Sequence, residues 1–310
     1  MPYFNMVGLL SSEVREARER VRTALRNSGE SLPMYRITVN LSPADRRKEG
    51  TGFDLPIAIA LLCAMGKIAV NKLNKTIIIG ELGLDGEIKP VNGILPIINM
   101  SKERGYNSCI IPYDNRYEGM FISGIKVFSF KKLREVIDFL SDNNVDRKQF
   151  ECNINEDVDK TYEMYTEDFI DIYGQESVKR ALIIATAGRH NMLMIGSPGV
   201  GKSMLASRIP GIMNELSESE KMEVANIHSI CGLLNDKISI SKRPFSSPHH
   251  SITAAALIGG GRVPKPGELT IAHRGVLFLD ELPEFNPSVL DSLRQPLEEK
   301  MIKIHRMSGN

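Results

Sequence analysis

The sequence predicts an α/β protein of two domains, and three observations support this fold class. The chain has 310 residues, a length that suggests two domains with room for a hydrophobic core in each. Apolar runs typical of strands alternate with helical patterns through residues 1–140. Two further apolar runs, at residues 191–195 and 276–279, lead directly into a glycine-rich turn and a pair of carboxylates. Buried parallel strands end in this way at the sheet edge where open α/β sheets bind ligands.

The first domain is predicted at residues 1–140, and its elements follow from periodicity and turn residues. The helix at residues 11–27 is highly charged and places apolar side chains along one face, namely Val14, Ala17, Val21 and Leu25. Its five arginines alternate with glutamates, which indicates a solvated face with ion pairs rather than a nucleic-acid patch. A turn-rich hairpin is predicted at residues 80–88. The other predicted elements are strands at residues 36–41, 76–79 and 108–111 and helices at residues 55–65, 94–104 and 133–140.

Residues 141–171 are predicted to form a linker to the second domain, residues 172–310. They carry ten acidic and three basic side chains and few large aliphatic residues, a composition typical of a solvated connection. In the second domain, a helix from Gln175 runs into the strand at residues 191–195. The last predicted elements are a helix and a short strand at residues 300–305. The helix has Asn286 as its N-cap and Pro287 as its first residue, with Leu290, Leu293 and Leu297 facing inward.

Charge and cysteine content limit the possible functions. The 39 basic and 38 acidic residues nearly balance, so any contact with DNA depends on a local patch. No apolar run is long enough to span a membrane, and the N-terminus lacks the layout of a signal peptide. The cysteines are far apart and form no C-x-x-C pair, so neither a zinc site nor a disulfide framework is indicated: Cys63, Cys109, Cys152 and Cys231. We predict a cytoplasmic protein with reduced thiols.

Residues 196–203 match the phosphate-binding loop pattern G-x-x-x-x-G-K-[ST], known as Walker A. A predicted strand before the loop and a predicted helix at residues 204–209 supply the context that such a loop requires, and disfavour a chance glycine turn. The glycines let backbone N–H groups surround a polyphosphate, and the helix N-terminus adds positive charge. We therefore predict an ATP site in which Lys202 reaches the β- and γ-phosphates and Ser203 holds Mg²⁺. The loop residues are Gly196, Ser197, Pro198, Gly199, Val200, Gly201, Lys202 and Ser203.

The apolar run at residues 276–279 ends in Asp280 and Glu281, which is the Walker B pattern. A buried parallel strand carries Asp280 to the edge of the sheet, where it can orient Mg²⁺ or a water molecule bound to the ion. Glu281 can then polarise the water that attacks the γ-phosphate. The alternative is a strand that ends in a solvated acidic turn, which the upstream phosphate loop makes the weaker interpretation.

The order of further motifs resembles a known protein family. Residues 174–182 precede the phosphate loop, and the motifs at residues 243–250, 255–261 and 266–285 follow it. Together they resemble the magnesium-chelatase-like AAA+ ATPases of the YifB/ComM type over nearly the whole chain. The resemblance implies a P-loop AAA+ fold of three α/β layers for the second domain and ATP, ADP and Mg²⁺ as ligands. It also implies a homo-hexameric ring in a complete protein, DNA as a partner and no association with membranes.

The first domain resembles the Lon-protease-like α/β domain of the same family. The resemblance rests on motifs within residues 39–58, 80–86 and 90–93. In Lon this fold carries a Ser–Lys catalytic pair, whose positions correspond to Gly52 and Leu95 here. Because neither residue supplies a nucleophile or a base, the resemblance implies a scaffold or binding domain and not a protease.

Two departures from the family pattern suggest a piece of a longer protein. AAA+ domains continue past the paired carboxylates with a sensor residue, an arginine finger and a helical lid, whereas 29 residues follow Glu281 here. At the other end, residues 2–9 resemble an interior stretch of the family's first domain. We therefore expect a chain truncated at both ends, with an incomplete second domain.

Two further features have more than one interpretation. His249 and His250 have no third ligand at useful spacing, so a structural or nucleotide-proximal role is favoured over zinc binding. The resemblance implies that residues 259–265 project toward a ring pore, where Arg262 and Lys265 could hold DNA phosphates. A flexible surface loop is an equal alternative for this segment.

Three functions are compatible with the sequence. The first is an ATP-driven ring motor that acts on DNA, as in branch migration or unwinding, with Lys202, Asp280 and Glu281 as the hydrolytic residues. The second is a chelatase motor subunit that drives Mg²⁺ into a porphyrin; the Lon-like first domain argues against it, because chelatase motor subunits lack one. The third is an inactive, truncated fragment that only binds nucleotide.

The resemblance predicts that the first domain has no peptidase activity. We expect no ATP-stimulated cleavage of casein, because Gly52 and Leu95 stand where the Lon serine and lysine would be. The measurement is release of labelled peptides by the purified chain. Cleavage that persists after contaminating proteases are removed would contradict the prediction.

Overall fold

The computed structural model describes residues 3–33, 35–141, 145–152, 168–234, 243–261 and 264–303. The chain divides into two compact units, which we call the first and the second unit. The first comprises Met1–Asp159 with Gly232–Asp236, and the second Lys160–Cys231 with Lys237–Asn310. Both contain helices and parallel strands, so the predicted α/β fold class is confirmed.

The first unit combines two parallel sheets with a short hairpin. Its strands are β1 (Tyr3–Val7), β2 (Arg36–Asn40), β3 (Thr76–Ile78), β4 (Glu81–Leu82), β5 (Ile88–Lys89), β6 (Ser108–Pro112) and β7 (Lys126–Phe130). Its helices are α1 (Ser12–Asn27), α2 (Asp54–Ala64), α3 (Ile94–Glu103), α4 (Arg116–Met120) and α5 (Leu133–Ser141). β1 pairs with β2 in parallel, β3, β6 and β7 form a parallel sheet in the order β3–β6–β7, and β4 pairs antiparallel with β5.

The elements predicted for this unit are found within one residue of their predicted bounds. Helix α1 begins after Ser11, whose hydroxyl accepts a hydrogen bond from the Val14 amide at 3.4 Å. The predicted hairpin is the β4–β5 pair, with Gly86 at φ 85° in its turn. Strands β1 and β7 and helix α4 are additional to the elements predicted from the sequence.

The hydrophobic core of the first unit is formed by buried apolar side chains of its helices and strands. The apolar residues of α1 are fully buried, and Ala17, Val21, Ala24 and Leu25 belong to one cluster with α2, the β4–β5 hairpin and α5. Phe128, Phe130 and Phe139 extend this cluster, and Phe150 stacks on Phe130 with ring centroids 4.6 Å apart. Phe150 lies in the segment predicted as a linker, most of which is outside the described residues, so the linker assignment stays a prediction.

A buried ion pair joins α1 to α2. The side chain of Asp54, at the start of α2, is fully buried and accepts two hydrogen bonds from Arg20 of α1, from Nε at 2.6 Å and from Nη2 at 3.0 Å. The same carboxylate accepts the Leu82 amide of β4 at 3.2 Å. Burial raises the pKa of Asp54, and the guanidinium of Arg20 opposes that rise. Three elements of the first unit therefore depend on one carboxylate.

The second unit is richer in helices, and its strands are short. Its helices are α6 (Glu176–Ala187), α7 (Lys202–Ser207), α8 (Ile209–Ile212), α9 (Glu218–Cys231), α10 (Ala254–Ile258), α11 (Glu268–Ile271), α12 (Pro287–Ser292) and α13 (Arg294–Glu299). Its strands are β8 (Phe245–Ser246), β9 (Gly259–Gly260), β10 (Lys265–Pro266) and β11 (Val276–Leu277). β8 and β11 pair in parallel, and β9 and β10 pair antiparallel. One apolar cluster includes Leu182 and Leu205, and a second includes Leu257, Phe285 and Val289.

Two strand predictions in this unit are wrong in whole or in part. Residues 191–195 form no strand, because no described strand pairs with their backbone; Leu193 and Ile195 are exposed. The strand predicted at residues 276–279 is reduced to Val276–Leu277, although the Phe278 amide still donates to Ser246 O at 2.8 Å.

The C-terminal helix prediction also needs correction. The single helix expected after Asn286 is two short helices, α12 and α13, that meet at Leu293. Pro296 explains the break, because it has no N–H to donate to Ser292 and its ring crowds that carbonyl. Asn286 caps α12 as predicted, but Leu297 is exposed. Residues 300–303 form no strand, and the rest of the strand predicted there lies outside the described residues.

The Arg20–Asp54 pair yields a stability prediction. Arg20→Met leaves a buried carboxylate without its cation and should lower the free energy of unfolding by about 3 kcal/mol at neutral pH. The loss of stability should shrink as the pH falls. Burial raises the pKa of Asp54 in the folded state, so Asp54 becomes protonated at low pH, and a neutral carboxyl group needs no cation. Urea denaturation followed by circular dichroism at two pH values measures both effects. Arg18→Met, an exposed neighbour on α1, is the control; equal losses in both variants would contradict the prediction.

Candidate functional site

The phosphate-loop residues 196–203 lie exposed or half-buried on the surface of the second unit. Gly199 and Gly201 have φ of 81° and 86°, in the left-handed region that favours glycine. Gly201 is the N-cap of α7, so the loop passes directly into that helix. The predicted helix after the loop is therefore present, although it begins at Lys202 and ends at Ser207.

Lys202 lies across the start of the loop. Its ammonium donates to the carbonyl oxygens of Gly196 at 2.9 Å and Ser197 at 3.0 Å. These bonds hold the cation over the loop, where an incoming phosphate can replace the two carbonyl oxygens as its partner.

Ser203 and Asp280 are 77 positions apart in sequence and in direct contact. The Ser203 hydroxyl donates to Asp280 Oδ2 at 2.8 Å, and the other carboxylate oxygen accepts the Glu281 amide at 2.9 Å. The structure thus brings together the end of the phosphate loop and the first residue of the acidic pair.

Backbone packing sets the position of Asp280. Strand β11 lies beside β8, and a Cβ on Gly275 would come within 1.9 Å of the Pro244 carbonyl oxygen. Only glycine allows this approach at the start of β11. Beyond the strand, Glu281 has φ 53°, an uncommon conformation for a residue with a side chain. The chain turns sharply there and leaves the Glu281 carboxylate exposed.

Glu281 has a histidine neighbour. His250 Nδ1 lies 3.5 Å from Glu281 Oε2, and the His249 and His250 rings have centroids 4.0 Å apart. Within the described ranges, no three His, Cys, Asp or Glu side chains form a cluster that could hold a metal ion. The pair lies beside the acidic residues of the site, as the nucleotide-proximal interpretation expects.

Comparison with protein families assigns the chain to a family. A family model described as magnesium chelatase, subunit ChlI, matches residues 168–310, and one described as subunit ChlI of Mg-chelatase matches residues 1–115. Competence protein ComM of Haemophilus influenzae is 42% identical over 309 residues, which are 99% of this chain and 60% of that protein. The chain belongs to the magnesium-chelatase-like AAA+ family of the YifB/ComM type.

Other relatives agree with this assignment. Uncharacterized protein YifB of Escherichia coli is 42% identical over 306 residues, which are 99% of this chain and 59% of that protein. The chain therefore spans about 60% of the length of these relatives. Lon protease 2 of Bacillus subtilis is 31% identical over 141 residues, which are 45% of this chain and 25% of that protein. The Lon-like resemblance thus extends to sequence similarity with a Lon protease.

Magnesium use is implied by the AAA+ family, and the site's residues fit this ion. Mg²⁺ prefers oxygen ligands, and the Ser203 hydroxyl and Asp280 carboxylate provide them within 2.8 Å of each other. Ser203 is exposed and Asp280 is half-buried, so both remain accessible to a hydrated ion.

The structure shows a loop contact that sequence reasoning did not identify. Gln175 Nε2 donates to the Val200 carbonyl at 2.7 Å and so braces the phosphate loop from the start of α6. Gln175 itself has φ 56°, and it stands in the Gly-Gln-Glu motif that contributed to the family resemblance. The motif is the signal that could have identified Gln175 as a site residue. Its contact with Val200 spans 25 positions, and no periodicity in the sequence indicates it.

Charged residues of α9 anchor the start of β11. Glu223 accepts hydrogen bonds from Arg274 at 2.9 Å, and His273 Nε2 lies 3.0 Å from the same oxygen. These contacts lower the pKa of Glu223, the bond to Arg274 first. The Arg243 guanidinium is buried and donates to the Arg274 carbonyl at 2.6 Å. This cluster fixes the chain immediately before the strand that carries Asp280.

The glycine-rich segment is a hairpin. Gly259–Gly260 pair antiparallel with Lys265–Pro266, so β9 and β10 form its two arms. Lys265 is exposed. Arg262, the other cation predicted to contact DNA, lies outside the described residues.

No helix in the described ranges has the length and apolar character needed to cross a membrane.

The Ser203–Asp280 contact yields a prediction about magnesium. Ser203→Ala should weaken binding of Mg²⁺–ADP by about tenfold and leave binding of metal-free ADP nearly unchanged, because the hydroxyl acts through the ion. Fluorescent ADP titrated with and without Mg²⁺ measures both affinities. Ser207→Ala, one turn later on α7, is the control, since that hydroxyl bonds to the Met204 carbonyl and the adjacent Arg208 and not to Asp280. Equal loss with and without Mg²⁺ would contradict the assignment.

Proposed function

We propose that this chain is the nucleotide-binding part of an ATP-driven motor, with the catalytic site at the phosphate loop and the acidic pair of the second unit. The observation that carries the proposal is the 2.8 Å contact between Ser203 and Asp280. A phosphate loop alone binds nucleotide, whereas hydrolysis also needs a carboxylate near the metal position. The contact supports a site with both parts.

The residues of the site have distinct proposed roles. Lys202 leaves the Gly196 and Ser197 carbonyls and contacts the β- and γ-phosphates, whose charge it neutralises. Ser203 and Asp280 would hold Mg²⁺, and the ion would supply charge stabilisation at the phosphates. Glu281 orients the attacking water.

His250 contributes to this proposed chemistry through Glu281. Its ring nitrogen lies close enough to hold the Glu281 carboxylate in one orientation. We propose His250 as a positioning residue, because it has no described contact with the phosphate loop.

We propose DNA as the substrate of the complete motor, which we infer to be a homo-hexameric ring in the cytoplasm. Support comes from the family and from the high identity, over 99% of this chain, to a relative named a competence protein. We further propose that the first unit is not a protease. Gly52 has no side chain, and the Leu95 side chain is fully buried and carries no base.

A chelatase motor subunit is the second candidate, and one observation favours it. A model described as a magnesium-chelatase subunit matches residues 1–115, so the first unit does not argue against a chelatase as strongly as expected. The two functions differ in what stimulates ATP turnover. DNA should stimulate a remodelling motor, whereas a chelatase motor should respond to its porphyrin-binding partner subunits and not to DNA.

Nucleotide binding tests the proposed site. Lys202→Ala should abolish detectable binding of fluorescent ATP and ADP, because the main cation at the phosphates is removed. Lys221→Ala, a lysine on α9, should bind like the wild type. Glu281→Gln should retain binding and lose whatever ATP turnover the chain shows, whereas Glu284→Gln should retain both. Equal affinity of wild type and Lys202→Ala would overturn the proposal.

A further inference from the structure

Helix α1 of the first unit separates its surface charges onto two flanks. Four of its five arginines lie within about 80° of one another at the helical repeat of roughly 100° per residue. All four are exposed, and we call them the arginine flank: Arg15, Arg18, Arg22 and Arg26. Glu13, Glu16 and Arg20 lie on the opposite flank, where Arg20 bonds to the buried Asp54, whereas Glu19 lies beside the arginine flank, about 20° from Arg26.

The structure confirms the sequence interpretation of this helix as a face of ion pairs only in part. In the arginine flank only Arg18 has an ion-pair partner among the described residues, the exposed Glu19 at 3.2 Å. Arg15, Arg22 and Arg26 have none in the part of the chain that the structure describes. Glu16 contacts Arg20 at 3.9 Å, and Glu13 accepts the Gly50 amide at 3.3 Å, so these glutamates are used on the other flank. The arginine flank is therefore a largely uncompensated positive surface.

The packing of α1 limits the kinds of partner that the arginine flank can bind. A helix that binds a membrane surface needs an apolar face free to enter the lipid. Here that face is fully buried in the core of the first unit, at Val14, Ala17, Val21, Ala24 and Leu25. Helix α1 therefore exposes positive charge but no apolar face. A water-soluble polyanion is a better partner for this surface than a membrane.

We propose that the arginine flank of α1 binds the phosphate backbone of DNA. Successive arginines are three or four positions apart, about 4.5–6 Å along the axis, and the row from Arg15 to Arg26 covers about 16 Å. One strand of a duplex places about five phosphates along that length. Arginine suits this role because its planar guanidinium can bond two phosphate oxygens at once. The contact is to the backbone and carries no base specificity.

The inference rests on the proposal that DNA is the substrate, but not on the function proposed for the phosphate loop. The arginine flank belongs to the first unit, and binding through it requires no nucleotide. Failure of one proposal is thus distinguishable from failure of the other, because DNA binding is measured without nucleotide and nucleotide binding is measured without DNA.

The test is fluorescence anisotropy of labelled DNA, duplex and single-stranded, titrated with the chain at several salt concentrations without nucleotide. Replacement of the four flank arginines by glutamine should weaken binding at least about tenfold at low salt and reduce the salt slope for duplex DNA by about three to four. Replacement of the same four by lysine keeps the charge and should retain most of the slope. A control of equal charge loss replaces exposed basic residues elsewhere in the first unit by glutamine: Arg46, Lys102, Arg104 and Lys126.

The outcomes separate the possibilities. A loss of DNA affinity that occurs only in the glutamine variant of the arginine flank supports the proposal, whether the DNA is duplex or single-stranded. Equal loss in the control variant would show a non-specific charge effect and overturn it. Unchanged DNA binding would also overturn it, as would a loss seen only for anionic lipid vesicles or an acidic peptide. Matching circular dichroism spectra and melting temperatures establish that every variant is folded.

Discussion

The contact between Ser203 and Asp280 is the interaction on which the candidate site depends. It joins the end of a glycine-rich loop to the end of a short strand 77 positions later. Each side is held independently: positive-φ glycines and Gln175 shape the loop, and Gly275 with the α9 charge cluster fixes the start of β11. The positions of the site residues therefore depend on backbone conformation and on hydrogen bonds from neighbouring side chains, more than on burial in a hydrophobic core. This arrangement suits a surface loop that must accept a polyphosphate.

Much of the first unit could be predicted from sequence, and the second unit less so. Helix α1 and helix α2 carry strong local signals, a charged amphipathic pattern and a buried apolar run, and their bounds shift by one residue. Residues 191–195 are as apolar as a strand, but a strand also needs a partner for its backbone, and none is present among the described strands. A proline at position 296 splits a helix that its leucine spacing alone makes continuous.

In the candidate site, too, local sequence motifs could be predicted but contacts between remote residues could not. The phosphate loop and the acidic pair are visible in sequence because their chemistry demands fixed residue types at fixed spacing. The contacts of Gln175 and His250 and the Glu223–Arg274 pair could not be derived, because the partners are remote in sequence and no periodicity links them. The arginines of α1 show a further limit: composition displays interleaved charges, and only the helical arrangement separates them into flanks.

The central claim is that one metal ion joins the phosphate loop to the acidic pair. The most direct measurement is a crystal structure of the chain with ADP and Mn²⁺ in place of Mg²⁺, with the ion located by its anomalous scattering. The account predicts a single peak at coordination distance from Ser203 Oγ and the ADP phosphates, with Asp280 bound to the ion or to its water. A nucleotide bound away from residues 196–203, or an ion without contact to either Ser203 or Asp280, would contradict it.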